Sequence, residues 1–161
     1  MRPFGARIVG VRRTAGAHPL ADAMGSLDEV KSLLPAADVV VLSTPLNDAT
    51  RNMADAAFFA AMQPKSVLVN VGRGGLVDEP ALLAALDAGA PEFAVLDVFA
   101  TEPLPADSPF WDHPKVALCP HASSFGSGQA ARNDAVFLEN LRRRLAGEPL
   151  LYEADPRDLG K

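Results

Sequence analysis

The chain has 161 residues, room for one domain with one sizeable core, and its 48% hydrophobic and 22% charged content excludes a disordered or fibrous protein. Fifteen basic and 20 acidic residues give a formal net charge of -5, the wrong sign for a nucleic-acid or membrane-surface partner. The single cysteine, Cys119, excludes an internal disulfide framework and fits a reducing cytoplasm, and no apolar run reaches the length of a membrane span.

In chain order, Met1 leads straight into a strand-like segment rather than a signal peptide, and residues 6–11 (ARIVGV) form the first predicted strand. A helix is expected over residues 26–34, opened by Ser26 with Glu29 in a capping box and closed by Pro35. Residues 38–43 (DVVVLS) form the next strand. Asp55 is placed to cap a helix over 56–62, with Pro64 after its end. Residues 66–71 (SVLVNV) are again a strand. Asp78 caps a helix over 79–88, with Pro80 in its first turn and Gly89 at its left-handed end. Strands over 93–98 (FAVLDV) and 116–119 (VALC) follow, and a long helix covers 127–146, stopping at Gly147. Its arginine run, residues 142–144, reads as a solvated basic end.

Continuous apolar runs, rather than alternating ones, predict strands covered on both faces, as in a parallel sheet. Their regular alternation with helices predicts a doubly wound α/β fold, in which ligands bind at the carboxyl ends of the strands. The polar tail after Gly147, with Pro149 and Pro156, is expected to be loosely attached.

Three strand-end loops each carry one potent side chain. In NVGRGG, Arg73 stands between glycines whose backbone can approach a ligand, and its planar fork suits a carboxylate; the alternative is an arginine paired with a surface acid in a turn. In DVFATEP, Asp97 ends an apolar strand, where an acid is costly unless it is paired or binds something, and Glu102 follows in the loop. In PHASS, His121 is the side chain suited to proton exchange near neutral pH. His18 and His113 read as loop residues, Cys119 as a core residue rather than a nucleophile, and no metal site is expected. An arginine for a carboxylate, a histidine for a neighbouring carbonyl and an acid to tune that histidine suit reduction of a 2-oxo acid, given a hydride source.

The segments NVGRGGLVDEPALLAAL, AVLDVFATEPLP and CPHASS resemble, in order and spacing, the signature blocks of the D-isomer-specific 2-hydroxyacid dehydrogenases. LLPAADVVVLSTPLNDATRNM and AAMQPKSVLVNV resemble earlier blocks, so that the likeness runs from about Ala6 to Gly147. The resemblance implies that Arg73 binds the substrate carboxylate, His121 is the acid/base, Glu102 hydrogen-bonds it, and Asp97 faces the nicotinamide. It also places Thr44, Pro45, Val71 and Gly72 along the cofactor groove. The implied substrate is a small 2-oxo or 2-hydroxy acid such as glyoxylate or hydroxypyruvate, and the implied assembly a homodimer.

Arg12 and Arg13 follow the IVGV strand, where an NAD-specific member of the family carries an acid; arginines there suit a 2′-phosphate, so NADP is preferred to NAD, with a solvated loop as the alternative. The family's G-x-G-x-x-G loop and first strand belong upstream of Ala6, and residues 2–5 look like the trailing end of the helix that loop opens. The expected organisation is therefore an incomplete cofactor domain over residues 1–147 and a tail over 148–161, weak or inactive as an isolated enzyme. The alternatives are an inactive remnant or dimerisation module. A receiver-like regulatory domain would leave the Arg, Glu and His blocks unexplained.

Overall fold

A computed structural model describes residues 4–13 and 16–154. Residues 2 and 3 of the expected helix end, and residues 155–161 of the tail, lie outside the described residues. The strands are β1 (Val9–Val11), β2 (Ala23–Gly25), β3 (Val39–Leu42), β4 (Val67–Asn70), β5 (Phe93–Leu96) and β6 (Val116–Leu118). The helices are α1 (Val30–Leu33), α2 (Ala56–Ala61), α3 (Glu79–Ala88) and α4 (Gln129–Ala146). All pairings between these strands are parallel, in two separate sheets, β1-β2 and β3-β4-β5-β6. The fold is α/β, as predicted.

Local chemistry explains most of the boundaries. Asp55 and Asp78 accept hydrogen bonds from the amides of Phe58 and Ala81, opening α2 and α3, and Gly89 closes α3 at φ +89°. At α1 the capping box is half formed. Glu29 accepts from the Ser26 amide at 2.8 Å and its hydroxyl at 3.0 Å, but no side chain caps the helix and it begins at Val30 rather than Ser26. Pro35 does not stop the chain there. Proline is tolerated in a first turn, and it sits inside a 3-10 turn, Leu34–Ala36, that extends α1.

The core is built from Leu42, Phe58, Phe59, Leu68, Leu82, Leu86, Ala94, Leu96 and Phe110, where one face of the four-stranded sheet meets α2 and α3. Phe58 and Phe59 meet edge to face at 5.7 Å. Coverage of both faces, expected from the apolar runs, is not found among the described residues. Burial alternates along β4 and β5, and Val39 and Val41 on β3 are 50% and 51% exposed. The reason is that α4 buries none of its residues and so covers no strand. Among the described residues, the edges of β1 and β3 away from β2 and β4 carry no strand. The tail is held more closely than expected as far as Leu151, whose amide donates to Asn140 Oδ1 at 2.7 Å while its carbonyl accepts from Asn140 Nδ2 at 3.1 Å.

Register is what positions the site. Leu42 aligns with Asn70, Asn70 with Leu96, and Leu96 with Leu118, so four strands end in one row. The loops that leave them start side by side.

Replacing Leu68 by Ala, in the buried face, is expected to cost about 2–5 kcal/mol in urea unfolding, whereas Val41→Ala on the open face costs under ~1 kcal/mol. Equal losses would mean that the second face is covered.

Candidate functional site

The loop after β4 is braced by a buried amide. Asn70 Oδ1 accepts from the Gly72 amide and its Nδ2 donates to the Arg73 carbonyl, both at 3.1 Å. A 3-10 turn, Gly74–Leu76, carries the chain away. Two glycines let this loop touch its neighbours. A Cβ on Gly72 would lie 2.8 Å from the Leu76 side chain and 3.1 Å from the Thr44 carbonyl oxygen. A Cβ on Gly74 would lie 1.8 Å from the carbonyl carbon of Phe99, inside the backbone itself. Arg73, between them, is exposed, and its Nη1 donates to the Gly72 carbonyl at 2.7 Å.

The loop after β5 supplies two acids in different states of burial. Asp97 is 3% exposed. Its Oδ1 accepts from the amides of Ala122 at 2.8 Å and Ser123 at 3.0 Å, and its Oδ2 from the Ser123 hydroxyl at 2.5 Å. Burial works against the charged form, but hydrogen bonds from Ser123, the Cys119 thiol and the two amides outweigh it and bring the carboxyl down to about 2. The same bond to Asp97 pushes the Cys119 thiol up, so this half-buried cysteine stays protonated, a donor rather than a nucleophile. Glu102 is partly open. Its Oε1 accepts from the Phe99 amide at 2.9 Å, and the Ala100 amide donates to Glu79 at the start of α3.

His121 stands after β6 in a left-handed conformation, φ +51°, which histidine enters more readily than most residues but which still needs support. Its amide donates to the Asp97 carbonyl at 2.9 Å. Its Nδ1 lies 2.7 Å from Glu102 Oε2. That contact is the main reason the Glu102 carboxyl is held below its ordinary value, with the Phe99 amide next and Arg73 adding through its charge. A carboxylate there fixes Nδ1 as the protonated nitrogen and leaves Nε2 to exchange a proton.

Arg73, Glu102 and His121 thus come together on consecutive strand ends. Thr44 and Pro45 follow β3, and Val71, 38% exposed, follows β4 in the same row. Arg12 and Arg13 are exposed at the end of β1, in the other sheet. His113 accepts from the Lys115 amide at 3.2 Å and lies 3.6 Å from Asp87 on α3, and His18 accepts from the Leu20 amide. Sequence reasoning passed over Asn70 and Ser123. Their only signal was a polar residue where a strand ends, beside the arginine and the histidine.

Comparison with known proteins identifies the family. The profile of the D-isomer specific 2-hydroxyacid dehydrogenase NAD binding domain matches residues 1–123. The chain belongs to that family. It is 42% identical over 120 residues to glyoxylate/hydroxypyruvate reductase B of Citrobacter koseri, covering 74% of this chain and 37% of the reductase. An uncharacterised protein of Corynebacterium melassecola is 34% identical over 155 residues, 96% of this chain and 51% of that one. The chain therefore spans between about a third and a half of the length of these relatives. Among solved structures, a family member from Xanthobacter autotrophicus Py2 in complex with NADPH and MES superposes with a TM-score of 0.85 at 37% identity, over 96% of this chain and 63% of that one. An NADPH-dependent glyoxylate/hydroxypyruvate reductase from Sinorhizobium meliloti, in complex with NADP and sulfate, gives 0.84 at 30% identity, over 96% and 49%. Among the described residues no helix is long and apolar enough to cross a membrane.

Two outcomes test the site's construction. Gly74→Ala is expected to cost about 1–3 kcal/mol or more, read from urea unfolding, because backbone rather than a mobile side chain blocks the methyl group. Asp97 has a folded-state pKa below its unfolded value near 3.9, so its contribution to stability is complete above that pH and is lost as pH falls toward about 2. Asp97→Asn should flatten this part of the acid-unfolding profile; an unchanged profile would refute the buried carboxylate network.

Proposed function

We propose that the protein takes part in hydride transfer between NAD(P)H and a small 2-oxo acid, glyoxylate or hydroxypyruvate, with NADPH as the preferred reductant and the cytoplasm as the compartment. The observation that carries this reading is the 2.7 Å contact between His121 Nδ1 and Glu102, two strand-end loops from an exposed arginine. The relatives named above as glyoxylate/hydroxypyruvate reductases, and the solved relatives holding NADPH or NADP, support the substrate and cofactor.

The residues present fit a dinucleotide along the strand ends. Gly72 lets the loop after β4 pack against the Thr44 carbonyl, and Val71 and Pro45 are open beside it. At the end of β1, Arg12 and Arg13 bring two guanidinium groups of the kind that suits a ribose 2′-phosphate. When bound, the nicotinamide would supply hydride to the substrate C2.

The chain's own residues do the rest. Arg73 holds the substrate carboxylate through its planar fork, fixing the carbonyl relative to His121. His121, protonated on both nitrogens, gives the Nε2 proton to the carbonyl oxygen as C2 is reduced, and the product is a hydroxyl group. In the oxidative direction the neutral ring takes that proton back. Glu102 holds the ring by Nδ1 and fixes its orientation.

The test is reduction of hydroxypyruvate and glyoxylate by the purified protein with NADPH and with NADH. His121→Ala should lower turnover by about 10²–10⁴-fold, and an unchanged rate would refute its role. Replacing Arg12 and Arg13 together by Ala should weaken NADPH far more than NADH. A wild-type preference for NADH would overturn the cofactor assignment, and absence of both nicotinamide binding and turnover would overturn the activity.

A further inference from the structure

Asp97 is the most heavily bonded side chain near the site, and every donor it accepts from belongs to the His121 loop. The donors are the amides of Ala122 and Ser123, the Ser123 hydroxyl and the Cys119 thiol. They flank His121 on both sides, and the Asp97 carbonyl takes the His121 amide as well. The residue so enclosed has φ +51°, and its ring is half exposed, its side chain 49% accessible. Beyond Glu102 at 2.7 Å, nothing among the described residues bonds the imidazole, so the ring's position follows from its backbone.

We infer that Asp97 and Ser123 are positioning residues that clamp the left-handed turn at His121 and so hold its Nδ1 against Glu102. The inference rests on the reading of the His121–Glu102 pair given above. The resemblance assigns Asp97 to the nicotinamide; the clamp is a separate task, done by carboxylate oxygens already engaged with the protein. Ser123 acts through Asp97: its hydroxyl has the shortest contact to the carboxylate, and its amide adds another. Asparagine at 97 keeps one acceptor oxygen but puts an NH₂ group where the second oxygen takes the Ser123 hydroxyl.

The experiment follows the Glu102 side-chain carboxyl by carbon-detected NMR titration of the whole chain, which needs neither cofactor nor turnover. In the wild type Glu102 titrates below the ordinary carboxylate value because His121 donates to it. His121→Ala removes that donor outright and sets the largest upward shift. Ser123→Ala and Asp97→Asn are expected to move Glu102 upward part of the way, with Asp97→Asn the larger, and Ser123→Thr to restore the wild-type titration by keeping the hydroxyl. Amide spectra of the β3–β6 sheet report whether each variant is folded, and Ser123→Ala, which deletes one hydroxyl, decides the matter if Asp97→Asn is not. A shift with His121→Ala but none with Ser123→Ala or Asp97→Asn overturns the clamp alone. No shift with His121→Ala overturns the His121–Glu102 pair itself, and the clamp with it.

Discussion

The site depends on how closely the backbone of one strand-end loop lies against the next. A Cβ at position 74 would sit 1.8 Å from the Phe99 carbonyl carbon, so glycine there is a requirement of packing. Because Gly74 can approach Phe99, the loop bearing Arg73 rests on the loop bearing Glu102, and Glu102 in turn receives the Phe99 amide. The parallel register supplies the starting line and the glycine the contact. Neither alone would bring the loops of an arginine, a glutamate and a histidine from separate strands side by side.

The two acids of the β5 loop show how burial divides labour. Asp97, nearly sealed from water, is saturated with donors that bring its carboxyl down to about 2. Such a group does not exchange protons with a substrate near neutrality, and what it can do is hold backbone. Glu102 has one oxygen on backbone and the other on the imidazole, with a third of its side chain open. Its second oxygen is spent on the His121 ring. Had the two environments been exchanged, the histidine would face a carboxylate already saturated and the turn would lose its anchor.

Much of this was legible in the sequence because the signals were local. Asp78, Pro80 and Gly89 bounded α3 at the residues where it begins and ends, and β-branched runs marked five of the six strands. The strand β2 was missed because Ala-Met-Gly carries no β-branched residue and is only three residues long. Coverage of the strands was misjudged because an apolar run reports what a strand can bury and cannot say whether a helix lies over it. At Val39 and Val41 none of the described residues seals the face. The roles of Asn70 and Ser123 were hidden for a related reason: each acts by bonds to backbone, which a side-chain pattern does not register.

The division of the strands into two sheets bears unequally on the residues of interest. Thr44, Arg73, Asp97, Glu102 and His121 all leave the β3–β6 sheet, whose register and core are continuous. Their starting positions are set by the register of that sheet. Arg12 and Arg13 leave β1, which shares no hydrogen-bonded ladder with β3. Arg73, Glu102 and His121 thus stand on one sheet, and Arg12 and Arg13 on the other. The His121–Glu102 contact is a property of strand ends in register, which bring the β5 and β6 loops side by side.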